Sequence, residues 1–414
     1  MSGFSCQKLL VFVAIAVIAF LSACSPGTPQ PSIVDTMPSS STTADAPLTP
    51  APSPTSPPIT PTPPAQTPTL MLTPTAIPLF PAEFPGRIAY TAILDPGPSV
   101  RIDIASMTAD GGNQSWITET DNNSLIGVFS MDSERIAYWS FDLQTQISNL
   151  WVKDLETGIS KPLTTEGVIK RNPVSWSPDG SFIAYENTYS EDRAMDVYRV
   201  GVYGGSPVNL TEDSLFIDSA PAWSPDGRWI AFHSNREGEE AGTEDIWMMS
   251  PEGTDLQNLT ASTLPWRDRF PAWSPDGSRI AFYRQGSVSD SISSIALPGL
   301  WVMNADGRNQ QMLVPFETFA SEPPVWSPDG KWIAASDGVP EFSDIWLVPS
   351  QGGEAVPIPI PGLERSVCWS PDSRALMLTH DDGEDLSLIL VILEPMDILP
   401  IELEGWGDYC DWTF

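Results

Sequence analysis

Histidine and cysteine carry much of the acid–base, nucleophilic and metal chemistry of proteins, and both are scarce in this chain. It contains only two histidines, His233 and His380, and each lies near the end of a repeated apolar segment, where we expect a solvated loop position. Sites built on several histidines are therefore ruled out, and no Gly-x-Ser-x-Gly motif presents a serine nucleophile. The sequence predicts no catalytic residues, no metal site and no cofactor. A carbohydrate-active enzyme that uses two of the many carboxylates stays open as an alternative.

The first cysteine with a predicted role is Cys24. Lys8 precedes an apolar run, Leu9–Phe20, which is too short to span a bilayer and has the length of a signal-peptide core. The run leads into Leu21-Ser22-Ala23-Cys24, which resembles the lipobox of bacterial lipoproteins. The resemblance implies that residues 1–23 are removed and that the Cys24 thiol carries a lipid. We therefore expect an exported protein anchored in a membrane, at the periplasmic face or on the cell surface.

Residues 24–82 comprise this cysteine and a segment rich in Pro, Thr and Ser, for example Pro50-Ala51-Pro52-Ser53-Pro54-Thr55. The segment has no Lys or Arg and only two acids, Asp35 and Asp45. Such a composition cannot bury a core, so we expect a disordered tether.

The charge of the whole chain restricts its partners. The formal net charge is −33, from 20 Lys and Arg against 53 Asp and Glu. Such a surface repels phosphate backbones, which excludes a nucleic-acid-binding role.

Residues 83–414 are dominated by one repeat. Its signature, Trp-Ser-Pro-Asp-Gly, begins at Trp176, Trp223, Trp273 and Trp326, with a variant at Trp369. A degenerate copy begins at Phe129 and a truncated one at Trp412, so the motif recurs every 43–53 residues. That period matches one four-stranded propeller blade. Pro and Gly suit a tight turn, and an apolar strand follows each copy.

Counting the repeats predicts how the ring closes. The strand after the turn occurs seven times, and its first residues are Arg87, Arg135, Phe182, Trp229, Arg279, Trp332 and Ala375. The strand before the turn also occurs seven times, but the copy belonging to Arg87 is missing upstream and a spare copy, Tyr409–Phe414, ends the chain. We therefore predict an all-β fold: a single propeller of seven four-stranded blades, closed by the C-terminal strand. Six or eight blades are the alternatives.

The repeat resembles the WD40-like PD40 repeat of TolB-like propellers, which also occurs in the propellers of prolyl oligopeptidase relatives. The resemblance covers nearly all residues from Arg87 to the C-terminus. It implies a propeller that acts as a scaffold for binding a protein or peptide of the cell envelope. A carbohydrate-binding or carbohydrate-active surface propeller is the alternative, because this fold hosts unrelated functions.

The remaining mature cysteines, Cys368 and Cys410, are candidates for a disulfide. Cys368 is one residue before Trp369 and Cys410 is two before Trp412, so both lie on inner strands of neighbouring blades, on opposite blade faces. An oxidising compartment would allow the bond. Two buried free thiols are the alternative.

Charged residues four or five positions before each motif Trp predict the binding surface. In a propeller the inner strands surround a central channel, so their first residues ring one mouth, where we expect charges to meet solvent. A patterned surface of mixed charge suits a peptide or protein segment. A hydrated mouth without a ligand is the alternative. The candidate residues are Arg171, Asp218, Asp268, Arg269, Glu322, Arg365 and Asp408.

Overall fold

The computed structural model describes residues 84–94, 101–119, 122–165, 173–187, 195–212, 216–236, 243–261, 266–286, 298–316, 322–339, 342–360, 363–381, 386–394, 396–403 and 406–414. The predicted signal peptide, Cys24 and the predicted tether lie outside these residues.

The described residues form 28 strands, numbered here in chain order. The first fifteen are β1 (Arg87–Leu94), β2 (Arg101–Met107), β3 (Ser115–Trp116), β4 (Asn123–Phe129), β5 (Arg135–Asp142), β6 (Ile147–Asp154), β7 (Ser160–Pro162), β8 (Ser175–Trp176), β9 (Phe182–Asn187), β10 (Asp196–Gly201), β11 (Val208–Asn209), β12 (Asp218–Trp223), β13 (Ile230–Ser234), β14 (Asp245–Met249) and β15 (Gln257–Asn258). The others are β16 (Trp266–Trp273), β17 (Arg279–Gly286), β18 (Gly299–Asn304), β19 (Gln311–Pro315), β20 (Val325–Trp326), β21 (Trp332–Val339), β22 (Phe342–Pro349), β23 (Val356–Pro357), β24 (Leu363–Trp369), β25 (Ala375–Asp381), β26 (Leu386–Leu393), β27 (Met396–Ile401) and β28 (Trp406–Thr413).

These strands form seven antiparallel four-stranded sheets, which are the blades of a propeller. Blade 1 has the order β28-β1-β2-β3, and blades 2 to 7 each take the next four strands, from β4–β7 to β24–β27. The C-terminal strand β28 pairs with β1 from Arg87↔Thr413 to Ile93↔Trp406. The predicted seven blades and their closure by the C-terminal strand are therefore confirmed.

The hydrophobic core lies between neighbouring blades. One buried cluster, for example, joins Ala184 and Val197 of blade 3 to Phe232 and Trp247 of blade 4. Several motif tryptophans also bridge blades through the indole N–H, which donates to a backbone carbonyl one blade earlier. The donor–acceptor pairs are Trp176 to Val128, Trp273 to Ala222, Trp326 to Ala272 and Trp369 to Val325, at 3.0–3.1 Å. The tryptophans thus pack the blades together, as their position in the repeat predicts.

Each Ser-Pro-Asp-Gly segment forms the turn between the first and second strands of a blade. In blade 5 the Ser274 hydroxyl donates to Asp276 at 2.6 Å and accepts the backbone N–H of Arg279 at 2.9 Å. The hydrogen bonds from Ser274 and from the backbone of Ser278 lower the pKa of Asp276 to about 2. Gly277 ends the turn with φ +69°, a left-handed conformation that glycine adopts without strain.

The inner strands carry a repeated β-bulge three residues before the motif aromatic residue. Ile126, Ala220, Phe270 and Tyr409 have left-handed φ values of 44–56° at this position. The strand register shifts beside the first three, for example between Ser219 and Ala222 in blade 4. In blade 4 the freed backbone N–H of Ala220 donates to Glu186 of blade 3 at 2.9 Å. The bulge therefore turns one backbone group of an inner strand toward the neighbouring blade.

The structure joins Cys368 of β24 and Cys410 of β28 as disulfide partners, with Cα atoms 5.8 Å apart. These strands are the inner strands of blades 7 and 1, so the pair spans the seam where the ring closes. This Cα distance lies within the range that a disulfide requires. The oxidation state in the cell stays a prediction.

The expected solvated positions of the two histidines are wrong. His233 lies within β13 and packs edge-on against Phe270, with ring centres 5.5 Å apart. His380 lies within β25, and both side chains are buried. The strands extend further than their apolar residues, so polar side chains near their ends are enclosed by adjacent blades.

Candidate functional site at the channel mouth

Buried ion pairs lie where the inner strands of blades 4 and 5 begin. Asp218 is the first residue of β12, and its fully buried carboxylate bonds Arg236 at 2.7 Å. Arg236 follows β13 and lies over the ring of Trp247, with its guanidinium carbon 5.3 Å from the ring centre. The cation is thus held by a carboxylate and an aromatic face of the same blade.

The equivalent pair in blade 5 is more enclosed. Asp268 of β16 faces Arg284 of β17 across the sheet, and two hydrogen bonds of 2.7 and 2.6 Å join them. Arg284 also donates to the Gln310 side chain at 2.9 Å and lies 4.7 Å from the Trp301 ring centre. The bidentate geometry fixes the guanidinium plane and leaves it little freedom to rotate.

A third pair connects the two blades. Glu244 lies just before β14 in blade 4, and its carboxylate makes a bidentate pair with Arg269 of β16 in blade 5. The Glu244 backbone adds to this link, because its N–H donates to Trp266 and its C=O accepts the N–H of Asp268. Arg269 is about one-third exposed, whereas Glu244 is buried. The inter-blade contact therefore presents a fixed guanidinium at the mouth.

Burial and pairing act in opposite directions on these carboxyl groups. Burial raises the pKa of Asp268 to about 6, although the hydrogen bonds and charge of Arg284 act to lower it. Burial likewise raises the pKa of Asp218 against the effect of Arg236. For Glu244, burial is outweighed by the hydrogen bond and charge of Arg269, so its pKa lies below the usual value. Burial thus opposes the charged forms of Asp218 and Asp268, whereas the arginines favour the charged form of all three groups.

Of the sequence-predicted mouth residues, Asp218, Asp268 and Arg269 are brought together. The expectation that both aspartates meet solvent is wrong, because arginines from other strands and loops cover and neutralise them. Arg171 lies outside the described residues, as does the side chain of Arg365, whose backbone belongs to β24.

Glu322 lies in blade 6, next to blade 5, and Asp408 lies in the closing strand of blade 1. Both are half-buried, and Glu322 acts through its charge on two tyrosines, Tyr283 and Tyr409. Burial and the negative charges of Asp411 and Glu322 raise the pKa of Tyr409 well above its usual value. The mouth therefore has three arginine–carboxylate pairs at blades 4 and 5 and two half-buried acids, Glu322 and Asp408, from blades 6 and 1.

Sequence reasoning missed Arg236, Glu244, Arg284 and Trp266. One available signal was the charge in Ile280-Ala281-Phe282-Tyr283-Arg284, since a buried apolar strand that carries an arginine needs an anion beside it. No comparable pattern marks Glu244, whose position depends on the path of a loop.

The described residues contain no group of three His, Cys, Asp or Glu side chains placed to hold a metal ion. In these same described residues, no helix is long and apolar enough to cross a membrane.

Seven four-stranded blades closed by the C-terminal strand define the class: a seven-bladed β-propeller. Within this class, the family model for the TolB beta propeller domain (PD40) matches residues 80–373, and the chain belongs to this family.

Solved structures show the same fold at low sequence identity. TolB from Acinetobacter baumannii is 19% identical, with 80% of this chain and 68% of that chain covered and a TM-score of 0.50. An oligogalacturonate lyase in complex with manganese is 14% identical, with 70% and 83% covered and a TM-score of 0.56. The propeller domain of the Trilobed protease from Pyrococcus furiosus is 13% identical, with 78% and 94% covered and a TM-score of 0.55. A search of curated proteins finds no significant match.

Proposed function

We propose that this protein is a lipid-anchored propeller of the cell envelope or cell surface that binds a protein or peptide segment at its channel mouth. The observation that carries the proposal is the set of three ion pairs Asp218–Arg236, Glu244–Arg269 and Asp268–Arg284, which lie in two neighbouring blades at one end of the channel. The anchor is supported by the sequence around Cys24.

The chemistry of these ion pairs favours a polypeptide partner. Arg269 and Trp266 are partly exposed at the mouth, and arginine and tryptophan are enriched among residues that dominate protein–protein binding. The buried carboxylates hold the guanidinium groups in place before a partner arrives, which reduces the entropy lost on binding.

A carbohydrate ligand is the second candidate. Two buried carboxylates, Asp218 and Asp268, lie at the same mouth, and the pKa of Asp268 is raised to about 6 by burial. A raised pKa is a property of carboxyl groups that act as general acids. However, each of these groups bonds an arginine, whereas a glycosidase needs its acid to face the substrate. The mixed charge of the mouth therefore favours the polypeptide.

The test is crosslinking in cells, with mass spectrometry of the proteins that co-purify. Arg267, between Trp266 and Asp268 in β16, is a second half-buried cation at this position, and its charge acts on Glu244. We expect the double substitution Arg267→Glu, Arg269→Gln to reduce recovery of the principal partner about tenfold or more, as removal of an interface hot spot does. The matched control is Arg308→Glu, because Arg308 is an exposed cation of the same blade, on a turn at the opposite face.

The control variant should retain its partners, and the thermal unfolding of both variants should show that they fold. An unchanged partner profile in the folded double variant would exclude the mouth as the binding site. Loss of an oligosaccharide rather than a protein from the purified material would favour the second candidate.

A further inference from the structure

The most exposed large apolar side chains of the described residues lie close to one another. They are Phe414, Met131, Tyr203 and Ile159, which are 77, 75, 70 and 65% exposed. All four belong to blades 1 to 3, which are neighbours in the ring. Scattered exposed apolar residues need no explanation, whereas several on neighbouring elements indicate an interaction surface.

The four side chains also share one face of the propeller. Met131 follows the first strand of blade 2, Phe414 follows the first strand of blade 1, and Ile159 and Tyr203 lie between third and fourth strands. Strands alternate in direction, so these positions lie at the face opposite the mouth where Asp218 and Asp268 begin their strands. We call Phe414, Met131, Tyr203 and Ile159 the basal patch.

Contacts of adjacent residues connect the turns that carry the basal patch. Thr413, beside Phe414, hydrogen-bonds Ser133 in the turn that contains Met131, at 2.5 Å. Arg135 follows that turn and lies over the Tyr203 ring, 5.2 Å from its centre. Lys161, which is two residues after Ile159, lies 5.9 Å from the same ring centre. The four apolar side chains thus lie on turns that contact one another, and two cations, Arg135 and Lys161, lie by the Tyr203 ring.

The described chain begins at this same face. Phe84 packs edge-on against Trp412 of the C-terminal strand, with ring centres 6.2 Å apart, and the Arg374 guanidinium lies 5.2 Å from the Phe84 ring centre. The residues that precede Phe84, including the predicted lipid anchor, therefore join the propeller beside the basal patch.

We propose that the basal patch rests on the phospholipid surface into which Cys24 is anchored, so that the channel mouth points away from the membrane. The proposal depends on the anchor of the proposed function. Apolar and aromatic side chains combined with Lys and Arg are the groups that proteins place at a membrane interface. The surface is a zwitterionic one, because a chain of net charge −33, with Asp132 and Glu134 beside the patch, is repelled by anionic lipids.

Because the anchor already holds the protein at the membrane, a weak contact between the basal patch and the lipid is enough to orient the propeller. A tether of the length expected from the sequence would hold the propeller at about millimolar effective concentration near the lipid. A patch that could not retain a free protein can therefore orient a tethered one.

The test is lipid-borne quenching of a dye at two positions of the same blade. Ile159→Cys places the dye in the basal patch, and Leu143→Cys is the matched control, because Leu143 is 54% exposed at the opposite face. Each full-length acylated protein is labelled with an environment-sensitive dye and reconstituted into phosphatidylcholine vesicles that contain nitroxide-labelled lipid. We expect quenching several-fold stronger at position 159 than at position 143.

A second variant separates the patch from the anchor. Met131→Asp with Tyr203→Asp should reduce the quenching at position 159 to the level of position 143, while the protein still floats with the vesicles. A protein that floats but shows equal quenching at both positions overturns the orientation and leaves the anchor intact. If the Cys24→Ala protein floats as well as the parent, the anchor itself is wrong and the proposal fails with it.

Discussion

The carboxylates of the inner strands are stabilised in two different ways. Asp218 and Asp268 bond arginines, whereas Asp411 accepts the backbone N–H of Phe129 in the next blade at 2.7 Å. Burial raises the pKa of Asp411 to about 6, although this hydrogen bond lowers it. The charged form of Asp411 therefore costs stability at neutral pH.

Asp411→Asn should raise the free energy of unfolding at pH 7.5. Asparagine can still accept the Phe129 N–H, and it removes a buried charge whose folded-state pKa lies about two units above the unfolded value. The expected gain is about 1–3 kcal/mol at pH 7.5; it should shrink as the pH falls below about 6 and disappear near pH 3, below the unfolded pKa of 3.8, where Asp411 is protonated in both states. Denaturant unfolding at the two pH values measures this difference.

The exposed position Asp397 supplies the control, because Asp397→Asn should change the unfolding free energy by less than about 0.5 kcal/mol. If Asp411→Asn destabilises the protein equally at both pH values, the carboxylate contributes a hydrogen bond that the amide cannot replace.

The mouth residues show how far sequence reasoning reaches at this scale. The offset from each motif tryptophan predicts that Asp218, Asp268 and Arg269 start neighbouring inner strands. The offset cannot predict that the two aspartates are buried, because their partners Arg236 and Arg284 come from the ends of other strands. Burial is thus decided by contacts that no spacing in the sequence records.

At the scale of strands and turns, the repeat predicts the structure where that structure favours a particular residue type, such as Pro or Gly. Pro and Gly identify the turns, and glycine is favoured because φ is +65 to +72° at Gly180, Gly227, Gly277 and Gly330. Serine adopts the same conformation at the equivalent positions 133 and 373, with φ of +60 and +62°. The inner-strand bulges escape prediction, because Ile126, Ala220, Phe270 and Tyr409 adopt a left-handed conformation that these residue types rarely adopt. Packing between blades, rather than local preference, imposes it.

Gly277→Ala tests the preference for glycine in the turn. A Cβ atom there would meet the Pro225 Cδ at 3.7 Å, an ordinary contact, so the cost is conformational rather than steric crowding. We expect a loss of about 1–2 kcal/mol in unfolding free energy, measured by denaturant unfolding. Gly277→Asn should cost less, because asparagine tolerates the left-handed region better than alanine. Equal losses for the two variants would show that bulk is the cause.

At the scale of the whole molecule, counting repeats is sufficient to predict the number of blades and the strand that closes the ring. Each blade contributes the same four elements, so a missing first strand and a spare last one can only complete each other. The arrangement of the mouth is less predictable, because it depends on loops between the second and third strands whose lengths and sequences differ among blades. The repeated residues thus determine the propeller fold, and the loop residues that differ among blades determine the surface at the mouth.

The disulfide is the property of the whole ring that can be tested most directly. Cys368 and Cys410 connect blade 7 to the closing strand, with a sequence separation of 42 residues. A bond that closes a loop of this size stabilises a protein by about 4 kcal/mol in the chain-entropy description. We therefore expect Cys368→Ala with Cys410→Ala to lower the unfolding free energy by up to about that amount, and reduction of the parent protein to have the same effect.

Thiol labelling of the denatured, unreduced parent decides whether the bond exists. Two reactive thiols at positions 368 and 410 would show that the strand is held by hydrogen bonds and packing alone.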